Sequence, residues 1–105
     1  MIAQTPNAPY YAVIFTSIST KTNTGYAATA SLMEELAKKQ KGYLGVESAR
    51  NEIGITVSYW ESLEAIQHWK QQVDHTKARA KGKSEWYQQF KVRICKVERD
   101  YGFEK

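Results

Sequence analysis

The chain has 105 residues, of which 42% are hydrophobic and 25% charged, and its formal net charge is +4. This length fits one domain, and no apolar run approaches the roughly 20 residues of a membrane-spanning helix. The single cysteine excludes an internal disulfide and a thiol-rich metal site. Because the N-terminus lacks a signal-peptide pattern, the simplest location is the reducing cytoplasm, with no membrane partner.

The positive charge does not point to a nucleic-acid partner. The basic side chains between Lys70 and Lys91 are interleaved with carboxylates, as on a solvated helix face. Residues 41–48 imitate the start of an RNA-binding octamer, but Gly45 and Ser48 stand where aromatic rings must stack on bases. We therefore expect no nucleic-acid binding.

Residues 1–9 contain both prolines and are predicted to form a flexible N-terminal lead-in, with residues 10–105 as the single domain. The first strand is predicted over Tyr10–Ser19. Its faces carry Tyr11, Val13 and Phe15 on one side and Ala12, Ile14, Thr16 and Ile18 on the other.

A polar loop over residues 20–25 leads into a helix predicted over 26–41, and Gly42 stands where a helix-ending glycine belongs. Two strands follow, over 43–50 and 53–60, joined by a turn at Asn51 and Glu52.

Ser62 is a suitable N-cap for the second helix. The apolar stripe of that helix comprises Leu63, Ile66, Trp69 and Val73. Residues 75–83 continue or restart the helix, residues 84–89 are a transition, residues 90–99 are the last strand, and residues 100–105 are a tail.

This order, βαββαβ, predicts an α+β, ferredoxin-like fold with a four-stranded antiparallel sheet and two helices on one face. Both faces of the strands carry apolar or aromatic groups, for example Phe15 beside Ile14 and Trp60 beside Tyr59. An antiparallel sheet with one wet face alternates more cleanly, and no remaining part of the chain is long enough to cover the second face. We therefore expect a homodimer whose sheets pack face to face.

Common catalytic and cofactor motifs are absent from the sequence, including GxGxxG, GxSxG and HExxH. His68 and His75 have no carboxylate at zinc-ligand spacing, so no metal site is expected. The remaining candidates are aromatic side chains for a flat, aromatic substrate, namely Trp60, Trp69, Trp86 and Tyr87.

His75 and Arg79 are one helical turn apart and share a helical face with the small residues Ala78 and Gly82. Small residues beside polar ones leave room for a ligand. The alternative for each residue alone is structural, because a Trp on an apolar stripe usually belongs to the core and a single His is usually a hydrogen-bonded structural group.

Residues 42–48 read GYLGVES and residues 55–62 read ITVSYWES, with further blocks at 69–75 and 97–103. In this order, and over about residues 10–103, the blocks resemble the antibiotic-biosynthesis monooxygenase (ABM) family. The resemblance implies a ferredoxin-like protomer that dimerises through its sheet into a dimeric α+β barrel.

Enzymes of that family oxygenate aromatic polyketides without metal or flavin, because the bound substrate, as a phenolate or carbanion, itself reduces oxygen. The resemblance therefore implies a cofactor-independent monooxygenase acting on a small aromatic or polycyclic substrate. His75 would accept or relay a proton and Arg79 would stabilise an oxyanion.

Two alternatives stay open. A related branch degrades haem and uses a first-strand Asn, a second-helix Trp and a His about ten residues later. Trp69 matches that Trp, but the first strand has no Asn, and Arg79 occupies the place of the ligand while His75 is offset by one turn. The other alternative is a non-catalytic dimer that binds a small ligand or serves a stress response.

The apolar second sheet face predicts that light scattering at micromolar concentration will give about 24 kDa, twice the chain mass of 12.0 kDa. A mass near that of one chain would contradict the dimer.

Overall fold

The chain folds in the predicted element order, and the structure, a computed structural model, describes residues 1–20, 26–74 and 87–105. The elements are β1 (Tyr10–Ser19), α1 (Tyr26–Lys38), β2 (Tyr43–Arg50), β3 (Gly54–Trp60), α2 (Leu63–Asp74) and β4 (Tyr87–Val97). Most of the predicted loop over 20–25 and the helical continuation over 75–83 lie outside the described residues.

The four strands form one antiparallel sheet in the order β2-β3-β1-β4. This topology confirms the predicted ferredoxin-like α+β fold. Paired residues share a face, so the register places Tyr11, Val13 and Phe15 together with Trp60. We call this the helix-side face, because Trp60 packs there against both helices. The other side is called the opposite face.

The first helix ends at Lys38, earlier than the predicted Lys41, because its last turn tightens. The backbone N–H of Gln40 donates to the carbonyl of Ala37, three residues back, at 3.0 Å. Gly42 follows with a φ of +88°, which confirms the predicted helix-ending glycine.

The strand β3 begins at Gly54 rather than at the predicted Ile53. The N–H of Asn51 donates to the carbonyl of Ile53 at 3.1 Å, which draws Ile53 into the turn. In the second helix the Ser62 hydroxyl accepts the N–H of Ala65 at 3.0 Å, so the predicted N-cap is confirmed.

The last strand is shifted towards the N-terminus of its predicted span of 90–99. It begins at Tyr87, because a bulge in the pairing brings Ser19 opposite Tyr87. It ends at Val97, which pairs with Tyr10, the first residue of β1. Beyond Val97 the central strand offers no partner.

The core lies at one end of the helix-side face. Trp60 is fully buried there, between Ala37 of α1 and Ile66 of α2. Of the predicted stripe of α2, Ile66 is buried and Trp69 packs against this cluster, whereas Leu63 is 51% exposed. Leu63 lies in the first turn of α2, and Ala65 makes the core contact from that turn instead.

The two ends of the chain cover part of the opposite face. The N–H of Ala3 donates to the Glu47 carboxylate at 2.9 Å, and the Tyr59 hydroxyl donates to the same carboxylate at 2.7 Å. The Tyr10 hydroxyl donates to Asp100, and this hydrogen bond raises the pKa of Tyr10. The expectation that no part of the chain could cover this face was therefore wrong for one end of it.

The Glu47 carboxylate predicts a loss of stability at low pH. The hydrogen bonds from Tyr59 and then from Ala3 hold the pKa of Glu47 below its ordinary value of 4.5. A lowered folded pKa contributes stability above the unfolded pKa, and that stability is lost as the pH falls through the folded pKa. We expect Tyr59→Phe to lower the free energy of unfolding by roughly 1–2 kcal/mol at neutral pH and by much less at an acid pH below the folded pKa of Glu47.

Urea unfolding at the two pH values, at one protein concentration, measures this difference. The matched control is Tyr101→Phe, which removes a hydroxyl from a side chain that is 100% exposed. An equal loss at both pH values, or an equal loss in the control, would contradict the role of the Glu47 carboxylate.

Candidate functional site

The helix-side face is crossed by four rows of neighbouring side chains, which the strand register defines. From β2 to β4 these are Tyr43, Trp60, Tyr11 and Lys96; Val46, Ser58, Val13 and Ile94; Ser48, Thr56, Phe15 and Val92; and Arg50, Gly54, Ser17 and Phe90. Large rings occupy the first row, whereas β3 contributes only Ser58, Thr56 and Gly54 to the rest. Beyond the buried Trp60, β3 therefore presents only small side chains on this face.

Aromatic rings pack closely at the Trp60 end. The Trp60 and Trp69 rings stack with centroids 6.0 Å apart, and the Tyr43 ring meets Trp60 edge-on at 5.7 Å. The indole N–H of Trp60 donates to the Ser58 hydroxyl at 2.9 Å, so its one polar atom is satisfied. Burial raises the pKa of Tyr43, which keeps this phenol neutral.

A second aromatic group lies towards the other end of the face. The Phe15 ring stacks on Phe90 with centroids 5.4 Å apart, and Tyr87 meets both rings edge-on, at 5.4 and 5.8 Å. All three side chains are half-buried. Their rings give this part of the face an apolar wall that is not fully covered.

Arg50 lies beside this wall, held by two hydroxyls. Its guanidinium donates to the Ser19 hydroxyl at 2.7 Å and also to the Ser17 hydroxyl. To reach them from β2, the side chain crosses β3 above Gly54. A Cβ on Gly54 would overlap the guanidinium atoms of Arg50, so only glycine allows this path.

The predicted site residues fall into three groups. Trp60 and Trp69 are brought together at one end, and Tyr87 lies at the other. The β1 partners of Trp60 and Tyr87 are Tyr11 and Ser19, about 26 Å apart at the usual strand rise. The remaining three, His75, Arg79 and Trp86, lie outside the described residues. The roles assigned to all six stay predictions.

Sequence reasoning missed Arg50, Ser17 and Phe90. Arg50 closes a strand beside a polar turn, a position typical of a solvent-exposed charge, and Ser17 lies in the polar end of β1, between Thr16 and Ser19. The alternation of β1 already placed Ser17 on the face of Phe15. Only the pairing of three strands shows that Arg50 and Phe90 flank it.

An open depression of about 620 Å³ lies at the edge of the sheet, lined by Met1, Ile2, Glu34, Val46, Glu47 and Ser48. Val46 and Ser48 belong to the helix-side face, so the depression reaches the margin of the site. Among the described residues, no three His, Cys, Asp or Glu side chains are close enough to share a metal ion. No helix in the described part of the chain is long and apolar enough to cross a membrane.

Comparison with known proteins gives both a family and a fold. The sequence model of the family described as antibiotic biosynthesis monooxygenase (ABM) matches residues 11–81. The chain is also 48% identical over 106 residues to the uncharacterized protein YqjZ of Bacillus subtilis. This match covers 99% of this chain and 93% of that protein.

Two solved structures illustrate the shared fold. One is a mutant of SnoaB, a cofactor-independent oxygenase from Streptomyces nogalater, with a TM-score of 0.70 and 8% identity over 83% of this chain and 91% of that chain. The other is Rv0793 from Mycobacterium tuberculosis, with a TM-score of 0.73 and 13% identity over 91% of this chain and 100% of that one. At these identities the likeness concerns the fold alone.

The two aromatic groups are expected to differ in what they contribute to stability. Trp60→Ala removes a fully buried side chain and should lower the free energy of unfolding by about 3–5 kcal/mol. Phe90→Ala removes a half-buried ring and should cost about half as much or less, because less apolar area is lost. Urea unfolding of both variants tests this, and equal losses would contradict the division of the face.

Proposed function

The chain belongs to the antibiotic biosynthesis monooxygenase family, and from this premise we propose that it is a cofactor-independent monooxygenase. Its substrate is a small aromatic or polycyclic compound bound between the sheet and the helices. The observation that carries the proposal is the helix-side face, where two aromatic groups flank a stretch in which β3 contributes only small side chains. A flat ring system matches such a surface in shape and in polarity.

The chemistry asked of the protein is modest. A methylene between aromatic rings becomes a carbonyl, dioxygen supplies the carbonyl oxygen, and its second oxygen leaves as water. The four electrons come from the substrate, after it loses a proton to form a carbanion or phenolate. The protein has to hold the ring, exclude water and take the proton.

His75 and Arg79 are the proposed proton acceptor and oxyanion partner, and this assignment rests on the sequence. Trp60, Trp69 and Tyr87, with Trp86, are proposed to hold the ring system. The half-buried rings of Trp69 and Tyr87 support that role, since they keep surface that a ligand can cover. Trp60 would act indirectly, because its ring stacks on Trp69 and fixes the plane of that ring.

A homodimer through the opposite face is part of the same proposal, as is a cytoplasmic location. Ile55 is 45% exposed on that face, and Ile14 and Val57 are only half-buried. A second sheet packed there would cover these side chains.

Two alternatives from the sequence analysis stay open, a haem-degrading monooxygenase and a non-catalytic ligand-binding dimer. Trp69 is the residue that fits the haem branch, and in the structure it is stacked on Trp60. A haem titration followed by ascorbate under air distinguishes this alternative, because a stoichiometric Soret band that bleaches would replace the proposal.

Oxygen uptake with the anthrone dithranol tests the proposed activity. We expect one dioxygen consumed per dithranol, and one labelled oxygen in the product when the gas is ¹⁸O₂, at a rate well above autoxidation. His75→Ala should lower kcat by roughly 100-fold or more, the usual contribution of a general base. His68→Ala is the matched control, since His68 is exposed on α2 and should leave the rate unchanged.

Binding of dithranol without uptake above the buffer rate would favour the non-catalytic alternative. Oxygen uptake that is unchanged in His75→Ala would support the monooxygenase activity but exclude His75 as the general base.

A further inference from the structure

We propose that Arg50 recognises a carboxylate on the substrate, so that the substrate is an aromatic carboxylate whose ring lies against Phe15 and Phe90. The inference rests on the proposed function, which places the substrate on this face. It adds the chemical class of the substrate and the residue that orients it.

The positive charge of Arg50 is not neutralised by any partner in the described part of the chain. Its partners there are two neutral hydroxyls, on Ser17 and Ser19. Ion pairs in that part of the chain are made by Lys38 with Glu34 and Glu35. A guanidinium has five N–H donors, so the bonds to the serines leave about three for a ligand.

The guanidinium of Arg50 is held in place before any ligand binds. Two strands contribute, because β3 provides the gap at Gly54 and β1 provides both hydroxyls. Ser17 is only 1% exposed, so one of these anchors cannot move into solvent. A guanidinium fixed in this way loses little conformational entropy when it binds a planar carboxylate.

An aromatic side chain lies next to Ser17, on the side away from β3. Ser17 pairs directly with Phe90 on β4, and the Phe90 ring stacks on Phe15 at 5.4 Å. A cation and a half-buried apolar ring wall therefore adjoin on one face of the sheet. A ligand that has both an aromatic ring and a carboxylate satisfies both at once.

The competing explanation is structural, in which Arg50 only ties the end of β2 to β1. Both explanations predict some loss of stability when Arg50 is removed. They differ in ligand preference, because an Arg50 with a purely structural role would not distinguish a charged ligand from a neutral ligand of the same shape.

The test is calorimetric titration of the full chain with naphthoate and with the neutral naphthamide. We expect the wild type to bind naphthoate more tightly, and Arg50→Gln to weaken naphthoate by roughly 10- to 100-fold while changing naphthamide little. Lys96→Gln removes the same charge from an exposed residue at the far end of the face and should change neither affinity.

Gly54→Ala keeps the charge and pushes the guanidinium off its path, so it should weaken naphthoate much as Arg50→Gln does. Arg50→Lys keeps the charge but lacks the planar guanidinium, so its affinity for naphthoate should lie between those of the wild type and Arg50→Gln. These two variants, with folding checked by circular dichroism, carry the test if Arg50→Gln does not fold.

Three results would overturn the inference: no preference of the wild type for naphthoate, equal losses in Arg50→Gln and Lys96→Gln, or equal losses for both ligands. Naphthol binding more tightly than naphthoate would reject the carboxylate in favour of a phenol. Oxygen uptake with dithranol is measured separately, because dithranol has no carboxylate. Uptake without naphthoate preference removes the inference alone. Arg50-dependent preference without oxygen uptake, either with dithranol or with an anthrone that carries a carboxylate, removes the monooxygenase alone.

Discussion

The register of β1 is the constraint on which the rest of the molecule depends. This strand pairs with β3 on one side and β4 on the other, so it decides which side chains of three strands share a face. A slip of one residue would exchange the faces. Phe15 and Ser17 would then leave the helix-side face, and Trp60 would lose Tyr11 as its neighbour in the row.

The two ends of the helix-side face have different physical characters. At the Trp60 end, rings and helices close over one another and exclude water. At the Arg50 end, the rings are half-buried, and within the described part of the chain the guanidinium is held by two hydroxyls. Because the Trp60 end supplies the buried core, the side chains at the Arg50 end can stay partly exposed. A ligand can bind there by covering that exposed surface.

The sequence was sufficient for the order of the elements and for the faces of β1, because both follow from local alternation and helical spacing. Gly42 and Ser62 were predictable for the same reason, since caps depend on their own neighbours. Coverage of the opposite face by the chain ends was not, because it depends on one backbone N–H, at Ala3, meeting a distant carboxylate. Arg50 was missed because its partners come from β1, more than thirty positions earlier in the chain.

The paired phenol and carboxylate of Tyr59 and Glu47 have a consequence for assembly. Burial and the bond to Glu47 raise the pKa of Tyr59 to about 12, so the phenol keeps its proton and continues to donate it. The Glu47 carboxylate thus finds its hydrogen-bond donors within one protomer, while these two neutral donors leave its negative charge in place. Two such faces brought together by twofold symmetry would therefore each carry a carboxylate that needs no hydrogen-bond donor from the other subunit.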